Sequence, residues 1–536
     1  MSNGSTLHTS FMRIEDFVAQ HARARPDAPF VKDDGRALTY AAFWNEARTF
    51  ASILKARDVP SGARVACLSR NCVDMVVALF GCAMGGFIFT PLNIRLTAHE
   101  ITTLLNDADP AVVLADDDLA ETADKAMMSA GGEAHRFIFG KEEIGDWTSF
   151  TNVIAEESTQ FDDSKPLDAG DQDAVFQLYT SGTTGVPKGV LQTHDNLVAQ
   201  TLQQVMAYDY RYGEGDASIL VTPMFHTSAL VTFLAGAFLG ELVVIHSAFE
   251  TETFLATLEA ERISHMMIVP AMIQACLDHP AAADTDFSAL QQIVYGGSAI
   301  SPSVLEHAIE VFGCRFTQGY GLTETTGVIS ALSWADHKRA LEGRAEILES
   351  ACRPVTGSAL RVVGPSGDDM PPGEIGEILA KGPQVMTKGY AGKPKETAAV
   401  LSEDGWLRTG DAGCIDEDGL LFIKDRFKDV VVSGAENIYP REVEAVLHAL
   451  PYVAEAAVIG VPSKKWGEEV KAVIALRDEA QVSDDVVITD CREKLAGFKC
   501  PKSVDFVAAL PRNPSGKVLK HELRKPYWAG FERAVN

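Results

Sequence analysis

The sequence lacks the features that mark several common classes of protein. Its nine cysteines form no Cys-x-x-Cys pair and accompany no His-rich spacing, so we expect neither a zinc site nor a disulfide framework, and reduced thiols in the cytoplasm are the simplest interpretation. No basic segment followed by an apolar stretch occurs near Met1, so a secretory signal is not expected. The longest apolar run, Met75 to Phe89, has 15 residues and is too short to span the roughly 30 Å hydrocarbon core of a membrane. We interpret it as a buried helix that leads into a buried strand.

Positive charge is also scarce. The chain has 47 Lys and Arg residues against 74 Asp and Glu residues, which gives a formal net charge of −27 and a pI of about 4.9. Such a balance opposes diffuse attraction to DNA, RNA or anionic lipid. We therefore expect no nucleic-acid partner, and any phosphate-bearing ligand has to be met by a local site.

The patterns that are present indicate a globular protein of several domains. At about 150 residues per domain, 536 residues predict three or four domain-sized units. Helix-like and strand-like segments alternate up to about Tyr179 and again from Ala217 to Ile329, which predicts two doubly wound α/β subdomains. Short strands and turns over residues 353–423 predict a β-rich, barrel-like unit.

The last 110 or so residues read as a separate, small α+β domain. A helix is expected to begin near Pro440, because apolar residues follow it at helical spacing: Val443, Val446, Leu447 and Leu450. The sequence therefore predicts an N-terminal domain over residues 1–425, a hinge at 426–428 and a mobile C-terminal domain over 429–536.

A loop rich in glycine and hydroxyl side chains follows the strand predicted at Val175 to Tyr179. Backbone N–H groups in such a loop can surround a polyphosphate, together with the ammonium group of Lys188 and a set of hydroxyls: Thr180, Ser181, Thr183 and Thr184. The loop is not a Walker A motif, because Pro187 stands where Gly precedes the lysine and Gly189 where Ser or Thr follows it. A nucleoside triphosphate is the expected ligand, and a P-loop NTPase is disfavoured.

Five segments in order resemble the motif set of the adenylate-forming superfamily, which includes acyl-CoA synthetases, adenylation domains of nonribosomal peptide synthetases and beetle luciferases. The segments are YTSGTTGVPKGV (179–190), GYGLTETTG (319–327), WLRTGDAG (406–413), DRFKDVVVSGAENIYPREVE (425–444) and NPSGKVLK (513–520). They extend over nearly the whole chain. The resemblance implies an AMP-forming acid–CoA ligase that uses ATP, Mg²⁺ and coenzyme A.

The resemblance also implies how the first reaction step is catalysed. Lys517 would place a positive charge between the substrate carboxylate and the α-phosphate, two anions that repel each other. Glu324 would hold the magnesium ion, and Thr323 would donate to the α-phosphate. The remaining positions of the implied ATP and AMP site are Gly182 in the loop, Gly297, Ser298 and Ala299 beside the adenine, Gln318, Gly319, Tyr320 and Gly321, and Asp411 and Arg426 at the ribose.

Three further sets of residues are implied for the acyl group, the thiol and the hinge. His226 would lie beside the acyl group with Gly297 and Gly321, and small residues nearby leave room for an aryl or a medium- to long-chain aliphatic monocarboxylic acid. Lys428 would be the hinge about which the C-terminal domain rotates between the two half-reactions. Coenzyme A would pass along a channel lined by Ser433 and Gly434. Its adenine would stack on Trp466 and Phe498, and its phosphates would meet the basic residues Arg95 and Lys502.

Two alternatives to this function stay open from the sequence. One is an enzyme that adenylates an acid and loads it onto a carrier protein instead of coenzyme A. The other is a nucleotide-binding homologue without catalysis, although Lys188, Glu324 and Lys517 are all present. The oligomeric state is also open, a homodimer included.

Overall fold

A computed structural model of the chain describes residues 12–131, 133–140, 142–158, 174–180, 187–210, 215–297, 300–426, 429–433, 436–463, 465–477, 480–512 and 518–529. The chain divides into two compact units. The first comprises Met1–Leu360 and Ala380–Leu407, and the second comprises Arg361–Leu379 and Arg408–Asn536. This division separates compact units and does not locate a hinge. The hinge at 426–428 and the domain boundary beside it therefore stay predictions.

The first sheet of the first unit has seven strands. Its internal pairs are parallel and only the last pair is antiparallel, as expected for a doubly wound α/β layer. In spatial order the strands are β7 (Thr148–Ser149), β6 (His135–Phe139), β5 (Val112–Asp116), β3 (Arg64–Leu68), β4 (Ile88–Pro91), β8 (Ala174–Thr180) and β9 (Lys188–Thr193).

The second sheet of this unit has nine strands, parallel in the middle and antiparallel at both edges. In spatial order they are β16 (Arg353–Pro354), β15 (Gly327–Leu332), β14 (Arg315–Leu322), β13 (Gln292–Gly296), β12 (His265–Ile268), β10 (Ala217–Leu220), β11 (Leu242–Ile245), β1 (Pro29–Lys32) and β2 (Ala37–Thr39). The prediction of two α/β subdomains is confirmed.

Helices cover these two sheets. They are α1 (Ile14–Ala24), α2 (Tyr40–Ala56), α3 (Val73–Gly85), α4 (Ala98–Ala108), α5 (Ala120–Ala130), α6 (Phe150–Ser158), α7 (His194–Ala207), α8 (Thr227–Leu239), α9 (Thr251–Ala260), α10 (Pro270–Asp278), α11 (Pro302–Phe312), α12 (Trp334–Leu341) and α13 (Pro394–Val400). Every residue of α3 is buried, and Gly86 ends the helix in the left-handed conformation before β4 begins. The apolar run from Met75 is thus a buried helix followed by a buried strand, as predicted. Among the helices that the structure describes, none is long and apolar enough to cross a membrane.

A four-stranded sheet, drawn mainly from the second unit, accounts for the β-rich segment. Its order is β17 (Ala359–Val363), β18 (Gly376–Lys381), β19 (Leu407–Ile415) and β20 (Leu421–Arg426). Cys352, which precedes this segment, has a φ of 60°, in the left-handed region that favours glycine.

The second unit also contains a five-stranded sheet and three helices. The strands are β21 (Val431–Ser433), β22 (Glu436–Ile438), β23 (Val453–Ser463), β24 (Gly467–Leu476) and β25 (Ser503–Val507), and the helices are α14 (Pro440–His448), α15 (Asp484–Arg492) and α16 (Lys520–Trp528). Helix α14 begins at Pro440 and buries Val443 and Leu447 in the core of this sheet, as the apolar spacing predicts. The tail is an α+β fold, as predicted.

Candidate active site

The glycine-rich loop joins two strands that pair along their whole length. Thr180, the last residue of β8, faces Lys188, the first residue of β9, in antiparallel register. The predicted phosphate-binding residues Ser181, Gly182, Thr183 and Thr184 lie outside the described residues. The hairpin therefore fixes both ends of the loop and holds Lys188 at its exit.

Lys188 and Glu324 are brought together by a residue that the sequence analysis missed. The Tyr390 hydroxyl donates a 2.9 Å hydrogen bond to Oε1 of Glu324, and Nζ of Lys188 lies 4.9 Å from the centre of the Tyr390 ring. A cation at that distance over an aromatic face is attracted to it. Tyr390 thus contacts both charged groups that the motifs implicate in phosphate and magnesium binding.

Main-chain contacts place Tyr390 in this position. The Ala391 N–H donates to the Gly189 carbonyl over 2.8 Å, and the Leu191 N–H donates to the Gly389 carbonyl over 3.0 Å. The segment around Tyr390 therefore runs beside β9. Nothing in the local sequence predicts this, because Gly389 and Gly392 indicate only a turn.

The turn after β14 carries Thr323 and Glu324 and is held by two contacts. The Gln192 side chain donates from Nε2 to the Thr323 carbonyl over 3.2 Å, and the Met386 N–H donates to the Glu324 carbonyl over 2.8 Å. Tyr320, in β14, packs against the apolar cluster that includes Tyr390. Lys188, Tyr320, Thr323 and Glu324 therefore belong to one region of the first unit.

Glycines in this region allow three strands to approach closely. A Cβ on Gly296 would lie 2.5 Å from the Gly319 carbonyl oxygen, and one on Gly321 would lie 1.7 Å from the Gly327 carbonyl oxygen. Gly297 has a φ of 81°. Gln318 lies in β14, two residues before Tyr320, while Ser298 and Ala299 lie outside the described residues. Of the predicted adenine and acyl positions, Gln318, Gly319, Tyr320 and Gly321 thus lie in β14, and Gly297 directly follows β13.

Among the described residues no group of three or more His, Cys, Asp or Glu side chains could hold a metal ion by itself. Magnesium bound with a nucleotide keeps several waters and takes one or two carboxylates together with phosphate oxygens. A single carboxylate linked through Tyr390 to Lys188, as at Glu324, fits that requirement. Glu324 would hold the ion, which neutralises developing charge on the phosphates.

Asp411 and Arg426, predicted at the ribose, face each other across β19 and β20 in the second unit. Nε of Arg426 lies 2.7 Å from Oδ1 of Asp411, and Nη1 donates to the Thr409 carbonyl over 3.1 Å. The Asp411 side chain is only 6% exposed. The two residues are therefore a preformed ion pair rather than independent groups.

Lys517 and Lys428 lie outside the described residues, but their neighbours in the second unit are well anchored. Arg512 and Val518 form an antiparallel bridge, and Nζ of Lys520 lies 2.8 Å from Oε1 of Glu444. Asp425 accepts from the N–H groups of Arg426 and Arg441. Burial raises the pKa of Asp425, while the Lys520 charge opposes the rise.

His226 immediately precedes α8 and contacts Phe225 edge to face, with ring centres 4.7 Å apart. Burial, with a smaller contribution from the Arg95 charge, lowers the pKa of His226 to about 4. Within the described part of the chain Nε2 has no hydrogen-bond partner. His226 is thus an uncharged ring with an available nitrogen, and Arg95, predicted to bind coenzyme A, is close enough to influence it.

We expect His226 to act as an aromatic wall and not as a proton carrier. A pKa near 4 keeps the imidazole neutral from pH 6 to 9, so His226→Phe should retain activity within about tenfold and leave the acid limb of the pH profile unchanged. His226→Ala, which removes the ring, should lose more. Steady-state rates of both variants over that pH range test this, and a loss beyond about 100-fold in His226→Phe would instead indicate acid–base catalysis.

Two of the residues predicted to meet coenzyme A in the second unit, Trp466 and Phe498, are exposed aromatic side chains. Trp466 is 45% exposed with Nζ of Lys465 at 4.6 Å from its ring centre, and Phe498 is 43% exposed with Nζ of Lys499 at 5.7 Å. Ser433 pairs with Gly467, next to Trp466. Gly434 lies outside the described residues, and Lys502 donates to the Gly497 carbonyl over 2.7 Å.

Comparison with known proteins agrees with these features. A family model described as AMP-binding enzyme matches residues 18–391, and one described as AMP-binding enzyme C-terminal domain matches residues 442–517. The chain is 38% identical to a feruloyl-CoA synthase of an Amycolatopsis species, covering 96% of this chain and 99% of the relative. It is 36% identical to the fatty acid–[acyl-carrier-protein] ligase ScoC of Streptomyces coeruleorubidus, covering 99% of both.

A solved structure, ATP-bound MatB from Rhodopseudomonas palustris, matches with a TM-score of 0.85 and 30% identity over 97% of this chain and 100% of that one. The chain belongs to the AMP-binding enzyme family of the adenylate-forming superfamily. Within it, the protein is an AMP-forming acid–CoA ligase, an enzyme class that uses ATP, Mg²⁺ and coenzyme A.

Proposed function

We propose that the enzyme activates an aryl or a medium- to long-chain aliphatic monocarboxylic acid as an acyl adenylate and transfers the acyl group to coenzyme A. The observation that carries this proposal is the linked set of Lys188, Tyr390 and Glu324 beside the phosphate-binding hairpin. In this set Tyr390 links Lys188, a cation that can bind phosphate, to Glu324, a carboxylate that can bind magnesium. Relatives that activate feruloyl and fatty acids support the two substrate classes.

In the first half-reaction a carboxylate oxygen attacks the α-phosphorus of ATP and pyrophosphate leaves. Lys517 would offset the repulsion between the two anions, and Lys188 and the loop hydroxyls would hold the phosphates that depart. Thr323 would donate to the α-phosphate. Asp411 would accept hydrogen bonds from the ribose hydroxyls, oriented by its ion pair with Arg426.

In the second half-reaction the thiol sulfur attacks the acyl carbon, AMP leaves, and the thiol proton passes to solvent. Lys517 has no role in this step, so we propose that the C-terminal domain rotates about Lys428 and brings Ser433 and Gly434 to the thiol path. The exposed rings of Trp466 and Phe498 offer stacking surfaces for the adenine of coenzyme A, and Lys465 beside Trp466 would attract its phosphates, whereas Lys499 beside Phe498 is paired with Glu442 over 2.5 Å.

Transfer to a carrier protein is the second candidate, because the ScoC relative is named for that acceptor. A phosphopantetheine arm on a protein carries no adenine, so it would not use exposed aromatic rings flanked by lysines. A panel of aryl and aliphatic acids, with pyrophosphate release measured with coenzyme A or with a carrier protein as acceptor, tests both candidates. We expect AMP and a CoA thioester. Transfer to the carrier alone would favour the second candidate, and ADP as product would reject both.

The ribose assignment predicts a selective effect on ATP. Asp411→Asn should raise the KM for ATP by about 10- to 100-fold, the range expected when a hydrogen bond to a charged group is lost. The KM for the acid should change little. Asp418→Asn, in the exposed turn between β19 and β20, is the matched control. Equal increases in the KM for ATP and the KM for the acid, or an unchanged KM for ATP, would contradict the assignment of Asp411 to the ribose site.

A further inference from the structure

Helix α4 supplies one carboxylate that contacts two segments of the candidate active site. Oδ2 of Asp107 accepts a 2.9 Å hydrogen bond from the Tyr179 hydroxyl, and Oδ1 pairs with Nζ of Lys393. Tyr179 lies 72 positions from Asp107 along the chain, and Lys393 lies 286 positions from it. One side chain of α4 therefore connects the end of β8 to the segment that follows Tyr390.

Both partners of this carboxylate are next to residues of the site. Tyr179 pairs with Gly189, the residue that follows Lys188. The Lys393 N–H donates to the Tyr390 carbonyl over 3.1 Å, which closes a turn. The carboxylate of α4 is thus one residue contact away from each member of the pair formed by the Lys188 ammonium and the Tyr390 ring.

The turn between Tyr390 and Lys393 is held by a further side chain. Oγ1 of Thr397 donates to the Lys393 carbonyl over 2.8 Å and accepts from the Tyr390 N–H over 3.0 Å. These bonds join the two ends of the turn to each other through one hydroxyl. The position of the Tyr390 main chain is therefore tied to that of Lys393.

The Tyr179 hydroxyl is oriented from its other side. Nε2 of Gln177 donates to it over 2.8 Å, and Nε of Arg64 donates to Oε1 of Gln177 over 3.1 Å. Because the hydroxyl oxygen accepts from Gln177, its single proton points to α4, where Asp107 at 2.9 Å is nearer than the Leu104 carbonyl at 3.3 Å. Burial raises the pKa of Tyr179 and the Asp107 charge raises it further, so the hydroxyl keeps this proton.

The ion pair of Asp107 and Lys393 is partly shielded from solvent. The two side chains are 22% and 19% exposed. Pairs between fully exposed side chains contribute little, because water and salt screen them. Here the two oxygens of one carboxylate also bind different segments, so the loss of its charge changes how those segments are held relative to each other.

We propose that Asp107 is a positioning residue for acyl-adenylate formation, which keeps the Tyr390 segment aligned with the phosphate-binding hairpin. That alignment sets how the Tyr390 ring meets Lys188 and how its hydroxyl meets Glu324. The inference rests on the proposed function, because adenylation is the step in which these charged groups act. The influence of the carboxylate passes through its two protein partners and not through contact with a substrate.

The test compares the two half-reactions in Asp107→Asn. Asparagine keeps the shape and an acceptor for the Tyr179 hydroxyl but lacks the charge that attracts Lys393. We expect acid-dependent exchange of pyrophosphate into ATP to slow by about tenfold, the loss expected when a hydrogen bond to a charged group is weakened. Thioester formation from preformed acyl adenylate and coenzyme A should stay within about threefold of the wild-type rate.

Asp109→Asn is the matched control. Asp109 is exposed at the C-terminal end of the same helix, in the left-handed conformation with a φ of 46°, which asparagine also tolerates. The same change of charge two residues further on should leave both half-reactions at the wild-type rate.

A double variant tests whether Asp107 acts through Lys393. Lys393→Met keeps the length of the side chain and removes its charge, and it should slow exchange about as much as Asp107→Asn does. Because either change alone removes the ion pair, the double variant should be slower than the single variants by no more than about twofold.

Equal losses in both half-reactions of Asp107→Asn, an exchange rate at the wild-type level, or losses that multiply in the double variant would overturn the inference. If Asp107→Asn folds poorly, Tyr179→Phe removes the other contact and should slow exchange but not thioester formation; a wild-type exchange rate in it would likewise overturn the inference. Absence of exchange with every acid in the wild-type enzyme would instead reject the proposed function.

Discussion

Replacing Lys517 by alanine is expected to slow acyl-adenylate formation by about 100- to 1,000-fold, the range seen when one preorganised transition-state donor is removed. The reason is electrostatic. The carboxylate and the α-phosphate are both anionic, and the chain carries a net charge of −27, so its overall field does nothing to draw them together. A local positive charge has to do so. Acid-dependent exchange of pyrophosphate into ATP measures this step alone.

The second half-reaction provides the internal control for Lys517→Ala. The variant, supplied with preformed acyl adenylate and coenzyme A, should form the thioester within about threefold of the wild-type rate. Lys525→Ala is the matched variant, because Lys525 lies in α16 with a side chain that is 77% exposed. An unchanged exchange rate in Lys517→Ala, or equal losses in both half-reactions, would contradict the role proposed for Lys517.

Glu324→Gln is expected to lower the adenylation rate by about 100-fold at low magnesium. Glutamine keeps the shape and still offers an oxygen to the Tyr390 hydroxyl, which donates to Glu324 over 2.9 Å, but it lacks the charge that attracts Mg²⁺. Raising the magnesium concentration should restore part of the rate. Titration of pyrophosphate exchange with MgCl₂ at fixed ATP measures this.

Tyr390→Phe separates the charge of Glu324 from its positioning. The variant keeps the ring beneath the Lys188 ammonium and removes only the hydroxyl, so we expect a loss of about tenfold, the value of one hydrogen bond to a charged group, with the magnesium dependence of the wild type. If Glu324→Gln titrates with magnesium as the wild type does, Glu324 does not hold the ion.

Local patterns in the sequence predicted several elements of the fold, and the roles of the site residues stay predictions. The strand that precedes the glycine-rich loop was predicted, whereas the second strand, β9, which places Lys188 opposite Thr180, was not. The helix that begins at Pro440 followed from apolar spacing. The apolar run from Met75 is a buried helix followed by a buried strand, as predicted from its length and its glycines.

The residues that were missed depend on contacts between distant parts of the chain. Tyr390 meets Glu324 across 66 positions of sequence, and only the main-chain pairing beside β9 places it there. Asp107 was passed over because an aspartate within a helix is usually exposed to solvent. Cys500 is fully buried in the core of the second unit, and of its basic neighbours Lys502 is exposed while Lys499 is paired with Glu442 over 2.5 Å.

Oxygen transfer from the acid to AMP tests the central chemistry most directly. The enzyme is incubated with ATP, coenzyme A and an acid whose carboxylate is labelled with ¹⁸O, and the products are analysed by mass spectrometry. Attack of the carboxylate on the α-phosphorus followed by thiol attack on the acyl carbon leaves one ¹⁸O atom in AMP, which is the result we predict. Unlabelled AMP, or label in inorganic phosphate, would show that no acyl adenylate forms.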